Sequence, residues 1–171
     1  LIGSSLGGYL AQYFAENYPD HVLKMSLGNT FPPNDEHKDK NASLIFIMKL
    51  LPEWLVIKMI RKKYNDEVVP AAENSLLVKA FLNELLGTKV SKKSFTSRYH
   101  CVVDTFILKS SLYLPVQIIE SDNDPLVSEN LRNQLKQSYP NALTITLNGK
   151  GHFPYLNDAE RYNQVLNDFL K

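Results

Sequence analysis

The sequence of 171 residues predicts an α/β fold in which a mostly parallel sheet is covered by helices. Three observations support this prediction. Short apolar stretches alternate with amphipathic helical stretches, a glycine-rich turn follows the first apolar stretch, and a long helical region interrupts the alternation. Along the chain the order is strand, helix, strand, helical region, strand, helix, strand, helix. Such alternation is typical of crossover connections between parallel strands.

The first strand and helix occupy the start of the chain. Leu1 and Ile2 are apolar and are expected to end a buried strand, while apolar residues recur at helical spacing over residues 6–18. Pro19 then ends the predicted helix. The stretch VLKMSL, residues 22–27, predicts the next strand, because it is apolar and is followed by a glycine and an asparagine.

Residues 31–113 differ from the rest and are predicted to form an α-helical cap inserted into the core, which comprises residues 1–30 and 114–171. The insertion has no convincing strand pattern, and Pro52 is expected to break its longest apolar stretch into two helices. Two apolar faces are expected to point inward. They comprise Leu44, Ile47, Met48, Leu51, Leu55 and Met59 on the first two helices, and Leu76, Leu77, Ala80, Phe81 and Leu85 on a later one.

After residue 114 the strand and helix pattern returns. Strands are predicted over residues 115–121 and 142–147, and helices over residues 128–140 and 158–171. Strict alternation in the second strand predicts a place near the sheet edge, where one face is wetter. Three strands and a short first one are too few to cover these helices. We therefore expect roughly a hundred residues of sheet upstream of Leu1, in crossover units of about 30 residues each.

The composition indicates a globular protein without a nucleic-acid partner. Apolar residues make up 44% of the chain and charged residues 22%, and the formal net charge is +1. No basic surface that would attract nucleic acid is therefore expected. The most apolar stretch, residues 43–60, is interrupted by charges and a proline, so no membrane span is expected. Cys101 is the single cysteine, which excludes an intrachain disulfide and favours a reducing, cytoplasmic location.

The stretch GSSLG, residues 3–7, carries the strongest chemical signal. It matches G-x-S-x-G, the nucleophile elbow, in which a strand turns sharply into a helix and presents a strained serine. Ser5 is the predicted nucleophile, because it has a glycine two residues before and after it, whereas Ser4 does not. The backbone N–H of Leu6 is the expected oxyanion donor. The motif alone also fits an ordinary turn, but the strand before it and the helix after it favour catalysis.

A serine nucleophile needs a base, and His152 is the candidate among four histidines. It lies in NGKGHFPYL, between the last predicted strand and the last helix, so its loop is expected at the same rim of the sheet as Ser5. Histidine suits this role near neutral pH, because its ordinary pKa is about 6.5. The other three, His21, His37 and His100, are expected to be solvated or packed residues.

The base needs an acid to orient it, and the loop SDNDPLVS after the third predicted strand offers Asp122 and Asp124. Asp124 is favoured, since it lies one turn beyond the strand, while Asp122 is expected to make a turn or a cap. The corresponding loop after the second predicted strand has Gly28 and Asn29, and neither is a carboxylate.

The chain order serine, aspartate, histidine resembles the α/β-hydrolase superfamily. The resembling stretches are GSSLGGYLAQYFAENYPDHV, SDNDPLV and GHFPYLNDAERYNQVLNDFL, which bracket the whole chain. The resemblance implies the C-terminal part of an α/β-hydrolase fold, with residues 31–113 as the cap over the pocket. It implies a serine hydrolase with Ser5 as nucleophile, His152 as base and Asp124 as acid, and with neither metal nor organic cofactor. A second oxyanion donor is expected outside these residues, on a loop after an early strand.

The substrate that these motifs favour is a small-molecule carboxylic ester with an apolar group. Thioesters, amides and lactones stay open, because the motifs do not define the leaving group. Apolar cap residues suggest the apolar group, although a plain core role is the simpler interpretation for them. They are Ile45, Phe46, Met48, Trp54, Met59 and Phe81.

Within the superfamily the chain is most similar to the maspardin branch, through LGNTF, LLPEWLVIKMI, QSYPNA and FPYL. This resemblance implies an alternative, a non-catalytic adaptor that binds a protein partner through the cap. Maspardin itself lacks a histidine at the position of His152, so the histidine here favours retained hydrolase chemistry. A third alternative is an inactive truncated product, because the expected upstream strands are not among these residues.

Overall fold

The fold is built around one parallel sheet. The computed structural model describes residues 1–88, 90–108 and 114–171. Its strands are β1 (Ile2–Ser4), β2 (Met25–Gly28), β3 (Val116–Glu120) and β4 (Leu143–Thr146). In the described part of the chain the order across the sheet is β1-β2-β3-β4, and each pair of neighbours is parallel. The predicted α/β class and the edge position of the last strand are confirmed.

Helices cover both faces of the sheet. They are α1 (Leu6–Asn17) after β1, α6 (Glu129–Ser138) after β3, and α7 (Pro154–Asn157) and α8 (Ala159–Leu170) after β4. Neighbouring residues of a strand point to opposite faces. Accordingly, Ile118 of β3 packs with α1 and the end of α6, and Ile119 packs with α8. The parallel strands therefore end together at one rim between the two helical layers.

The helical segment, residues 31–88 and 90–108, lies between β2 and β3 in the sequence. It comprises α2 (Asp35–Leu50), α3 (Glu53–Lys63), α4 (Ser75–Thr88) and α5 (Lys92–Val103), with a π-helical turn, Tyr64–Val68, after α3. Pro52 immediately precedes α3, so the predicted break is confirmed. The predicted boundary at residue 113 lies outside the described residues. Among the helices of the described ranges, none has the length and apolar character needed to cross a membrane.

The inward faces predicted for this segment are partly wrong. The buried apolar positions described are Ile45, Met48 and Val56 on α2 and α3, and Val78, Leu82 and Leu86 on α4. By contrast, Leu76 is 80% exposed, and Ile47, Met59 and Leu77 are also exposed. These helices carry apolar residues on more than one face, so periodicity does not identify the buried one. Tertiary packing decides which face is buried. The side of α4 that is buried contacts Phe153, in the loop after β4, and Leu156 of α7.

The start of the chain also differs from the prediction. Ile2 was expected to be buried but is 56% exposed, because β1 is an edge strand of the described sheet. The second strand begins at Met25 rather than at residue 22. The reason is a 3-10 turn, Pro19–His21, which the N–H of Val22 closes by donating to the carbonyl of Pro19 at 3.0 Å.

Candidate active site

Ser5 occupies the turn between β1 and α1. Its φ is 53° and its ψ −124°, a conformation that costs a non-glycine residue about 1–3 kcal/mol. The sheet holds the strained residue in place. The N–H of Ser5 donates to the carbonyl of Gly28 at 2.9 Å, and its carbonyl accepts from Oγ1 of Thr30 at 2.6 Å. The strained serine that the motif predicts is therefore present at the carboxyl end of β1.

Two glycines near Ser5 are required by close backbone approach. A Cβ at Gly3 would lie 2.3 Å from the carbonyl oxygen of Gly7, and a Cβ at Gly8 would lie 2.6 Å from Cβ of Thr30. A Cβ at Gly7 would meet nothing within 4 Å. A side chain would therefore fit at Gly7, the second glycine of the motif. At Gly8, which lies outside the motif, a side chain would clash with Thr30.

The three residues predicted to act together meet at the carboxyl rim of the sheet. Ser5 Oγ lies 3.0 Å from His152 Nε2, and His152 Nδ1 lies 2.9 Å from each carboxylate oxygen of Asp124. His152 is 4% exposed and Asp124 6%. When Nδ1–H donates to the carboxylate, the lone pair of Nε2 faces the serine hydroxyl and can accept its proton. This arrangement can activate Ser5 and hold an imidazolium against a buried negative charge.

Asp124, and not Asp122, is the aspartate that contacts His152. Asp124 Oδ1 also accepts the backbone N–H of Leu126 at 2.8 Å, so its own loop holds the carboxylate. Asp122 Oδ1 instead accepts the backbone N–H of Gly149 at 2.7 Å. The side chain of Asp122 therefore joins the two loops, and this bond is neither the turn nor the cap that was expected for it.

Neither His21 nor His100 joins this cluster. His21 lies exposed in the turn after α1, and His100 lies in α5. The side chain of His37 lies outside the described residues. Across the ranges that the structure describes, no group of three or more histidine, cysteine, aspartate or glutamate side chains is placed to hold a metal ion.

The predicted oxyanion donor lies at the start of a helix. Leu6 is the first residue of α1, directly after Ser5. N–H groups in the first helical turn have no carbonyl partner within the helix, and the helix dipole adds partial positive charge there. The Leu6 N–H, directly after Ser5, can therefore donate to an oxyanion that forms beside the serine.

The loop after β2 makes contacts that the sequence did not predict. Nδ2 of Asn29 donates to Oδ2 of Asp124 at 2.8 Å and to the carbonyl of Gly151 at 2.9 Å. Asn29 was not a candidate for the acid, because asparagine has an amide in place of a carboxylate. Its place directly after a buried parallel strand, at the rim where ligand sites form, is the signal that could have identified it.

Apolar side chains reach the site from the helical segment through Phe153. The Phe153 ring lies 5.0 Å from the imidazole of His152 and 5.4 Å from the ring of Phe81 on α4, between centroids. Both phenylalanines pack into the cluster around buried Val78 and Leu82. Apolar surface therefore continues from the core of the helical segment to the candidate base.

The turn before the candidate base is bound to the helical segment. Gly151 has a φ of 62°, and a Cβ there would lie 2.9 Å from the carbonyl oxygen of Ala71. Asn123 bridges the two: its Oδ1 accepts the Gly151 N–H at 2.8 Å, and its Nδ2 donates to the Ala71 carbonyl at 2.8 Å. The hydrogen-bonded carboxylate of Glu73 also raises the pKa of Lys150 above its usual value. The stretch before α4 thus docks directly on this turn.

No family model matches the chain, but curated relatives cover most or all of it. A 2-hydroxy-6-oxononadienedioate/2-hydroxy-6-oxononatrienedioate hydrolase of Burkholderia vietnamiensis is 26% identical over 178 residues, which cover 100% of this chain and 62% of the relative. Maspardin of Homo sapiens is 25% identical over 160 residues, which cover 91% of this chain and 50% of maspardin. The chain thus spans less than two thirds of the length of either protein.

Solved structures match almost the whole chain. An esterase from Exiguobacterium antarcticum has a TM-score of 0.77 at 17% identity, covering 99% of this chain and 65% of the esterase. An α/β-hydrolase enzyme from a Medee basin deep-sea metagenome library has a TM-score of 0.70 at 19% identity, covering 99% of this chain and 63% of the enzyme. At such identities the likeness establishes a shared fold.

Proposed function

Because the chain has the α/β-hydrolase fold, we propose that it is a serine hydrolase that acts on a carboxylic ester. The observation that carries the proposal is the line of hydrogen bonds from Ser5 Oγ through His152 to Asp124. The relatives named above include a hydrolase and an esterase, which supports hydrolysis as the reaction class.

In the proposed first half-reaction, Ser5 Oγ attacks the ester carbonyl carbon while Nε2 of His152 takes the hydroxyl proton. The carbonyl oxygen becomes an oxyanion, to which the N–H of Leu6 donates. His152 then gives the proton to the alcohol oxygen as the bond from that oxygen to the acyl carbon breaks. Asp124 keeps Nδ1 protonated and stabilises the imidazolium between these two transfers.

In the second half-reaction, a water molecule takes the place of the alcohol. His152 accepts a proton from the water as the water oxygen attacks the acyl carbon. The proton then returns to Ser5 Oγ as the bond from Oγ to the acyl carbon breaks. The products are a carboxylic acid and an alcohol, and His152 carries every transferred proton.

An apolar substrate group is supported by the side chains beside the imidazole. Phe153 contacts His152, and Phe81 contacts Phe153. The other cap residues suggested from the sequence are placed differently, with Ile45 and Met48 buried in the core and Phe46, Trp54 and Met59 exposed. The proposed apolar contact is therefore made by Phe153 and Phe81.

A fluorophosphonate probe tests the nucleophile without knowledge of the substrate. An activated serine displaces fluoride from the phosphorus of the probe and keeps the phosphonyl group. We expect labelling of the wild-type protein and of Ser4→Ala, and none of Ser5→Ala. A folded wild-type protein that takes no label, or a Ser5→Ala variant that still does, contradicts the proposal.

The acyl group is tested with p-nitrophenyl esters of increasing chain length. We expect kcat/KM to rise from acetate to longer acyl chains, because apolar surface adjoins the base, and Phe81→Ala to reduce this rise. Matched thioester, amide and lactone substrates compare the leaving groups. A kcat/KM that falls with chain length in the wild type contradicts an apolar acyl site.

A second candidate function is an adaptor that binds a protein partner through the helical segment. The match to maspardin over 91% of the chain supports it. Apolar side chains that α2 and α3 leave exposed support it too; they are Phe46, Ile47, Leu50, Trp54 and Met59. The adaptor hypothesis predicts a folded protein that the probe does not label and whose partner binding is unchanged by Ser5→Ala.

A further inference from the structure

We infer that Asn29 is a positioning residue, which clamps the proposed acid, Asp124, to the turn that carries the proposed base, His152. The inference rests on the proposed function, because it assigns Asn29 a task within that reaction. No step of the mechanism above uses this side chain, and it contacts neither the serine hydroxyl nor the imidazole in the bonds described.

The side chain of Asn29 is 1% exposed, and both hydrogens of its amide are used. One is donated to Oδ2 of Asp124 at 2.8 Å and the other to the carbonyl of Gly151 at 2.9 Å. Gly151 directly precedes His152, so the Asn29 amide contacts both the acid loop and the base loop, which Asp122 and Asn123 also join. A rotated amide would place its oxygen against two acceptor oxygens, so these two contacts determine its orientation.

The backbone of Asn29 is held as firmly as its side chain. Its φ is 40°, in the left-handed region that asparagine tolerates better than most residues. Its N–H donates to the carbonyl of Ile119 at 2.9 Å. On either side, the Gly28 carbonyl and the Thr30 hydroxyl bond to the backbone of Ser5. Residues 28–30 therefore contact the turns of all three proposed catalytic residues.

This contact bears on the proposed chemistry through the carboxylate of Asp124. Its Oδ2 lies 2.9 Å from His152 Nδ1 and also accepts from Asn29. The second donor stabilises the negative charge and, together with the backbone N–H groups of Leu126 and Val127 on Oδ1, keeps the carboxylate facing the imidazole. Without it, the buried carboxylate loses one partner, and the imidazolium formed during proton transfer is less well stabilised.

Asn29→Gly is the first test, because glycine accepts a φ of 40° without strain and only the amide is lost. The readout is the labelling of Ser5 by the fluorophosphonate, separated into the maximal rate, kinact, and the half-saturating probe concentration, KI. We expect kinact to fall about ten- to hundredfold, because the free energy of a hydrogen bond to a charged group corresponds to a factor of that size. We expect KI to be unchanged, because Asn29 does not contact the probe.

Asn29→Asp is the second test, because it keeps the shape but exchanges the donor for an acceptor. At about pH 8 we expect slow labelling, since two carboxylates face each other. A protonated carboxyl can donate its O–H to Oδ2 of Asp124. The ratio of the variant rate to the wild-type rate should therefore rise as the pH is lowered. The charged and titratable groups around the clamp are Asp124, His152, Asp122, Arg132, Lys150 and Tyr162.

The outcomes separate the inference from the proposed function. Labelling of Asn29→Gly at the wild-type kinact, or of Asn29→Asp at the wild-type rate at pH 8, overturns the role of Asn29 and leaves the hydrolase proposal intact. Absence of label on the folded wild-type protein overturns both. If circular dichroism shows that Asn29→Gly is unfolded, the near-isosteric Asn29→Asp and its pH-dependent ratio decide the question.

Discussion

The rim of the sheet and the helical segment are held together by different interactions. At the rim, hydrogen bonds of 2.8 to 3.0 Å join Asn29, Asp124, His152 and Ser5. In the helical segment, apolar clusters join the helices around fully buried valines such as Val56 and Val78. Hydrogen bonding requires particular atoms in particular places, whereas apolar packing tolerates many side chains of about the right size.

This contrast explains where prediction succeeds. A motif such as G-x-S-x-G specifies atoms, so the sequence identifies Ser5 and offers Asp124 and His152 as its partners, although it does not identify Asn29. An apolar stripe specifies only a period, and α4 buries Leu82 while it exposes Leu76. We therefore expect conservative changes to be severe at the rim and mild in the helical segment, except at its few fully buried positions.

The largest effect is expected when the proposed acid loses its charge. Asp124→Asn leaves the shape intact but favours the wrong histidine tautomer, and kcat for ester hydrolysis should fall about 10⁴-fold. The matched control is Asp122→Asn, which keeps the oxygen that accepts from Gly149. Similar losses of kcat in both variants would show that the two aspartates do not differ in function.

In the helical segment the large effect should be on stability. Leu82 is 2% exposed, so Leu82→Ala should lower the free energy of unfolding by about 2–5 kcal/mol. Leu76→Ala, on the exposed side of the same helix, should change it by about 0.5 kcal/mol or less. Urea unfolding measures both. A larger loss in Leu76→Ala than in Leu82→Ala would mean that α4 buries the face first expected from its periodicity.

The strained turn offers a sharper pair. Gly3→Ala forces a methyl group against the carbonyl of Gly7 and should destabilise the protein by about 1–3 kcal/mol. Gly7→Ala meets open space inside α1, where alanine is favoured over glycine by about 1 kcal/mol. Thermal unfolding should therefore shift in opposite directions, and a stabilising Gly3→Ala would contradict the close approach.

The last effect appears only at alkaline pH and concerns the stability of the helical segment. Burial, with a contribution from Tyr99, raises the pKa of Tyr64 to about 12, compared with about 10 in an unfolded chain. The neutral form of Tyr64 is favoured in the folded state. The contribution of Tyr64 to the free energy of unfolding is therefore complete below pH 10 and is lost as the pH rises toward 12.

Tyr64→Phe removes that titration. Its free energy of unfolding should therefore decline less between pH 10 and 12 than that of the wild type. Tyr13→Phe, a change at an exposed tyrosine, is the control. Identical declines in Tyr64→Phe and the wild type would show that this tyrosine does not contribute to the alkaline loss of stability.

Much of the fold could be predicted from the sequence. The four strands and the helices α1, α6 and α8 lie close to their expected positions, and the resemblance to α/β-hydrolases and to maspardin is confirmed. Ser5, Asp124 and His152 were proposed together and lie within hydrogen-bonding distance. The short helix α7 and the contacts of Asn29 were not predicted, because neither depends on a periodic pattern.

The sequence by itself determined the features that depend on neighbouring residues. These are the alternation of strands and helices, the strained turn at Ser5, and the break at Pro52, all of which follow from local sterics and side-chain period. Only the tertiary structure decided which aspartate faces the imidazole, where the amide of Asn29 binds, and which face of α4 is buried. The deciding contacts join residues that are 28 to 147 positions apart. Contacts between residues so far apart in the sequence depend on how the whole sheet assembles, and a local sequence pattern does not predict them.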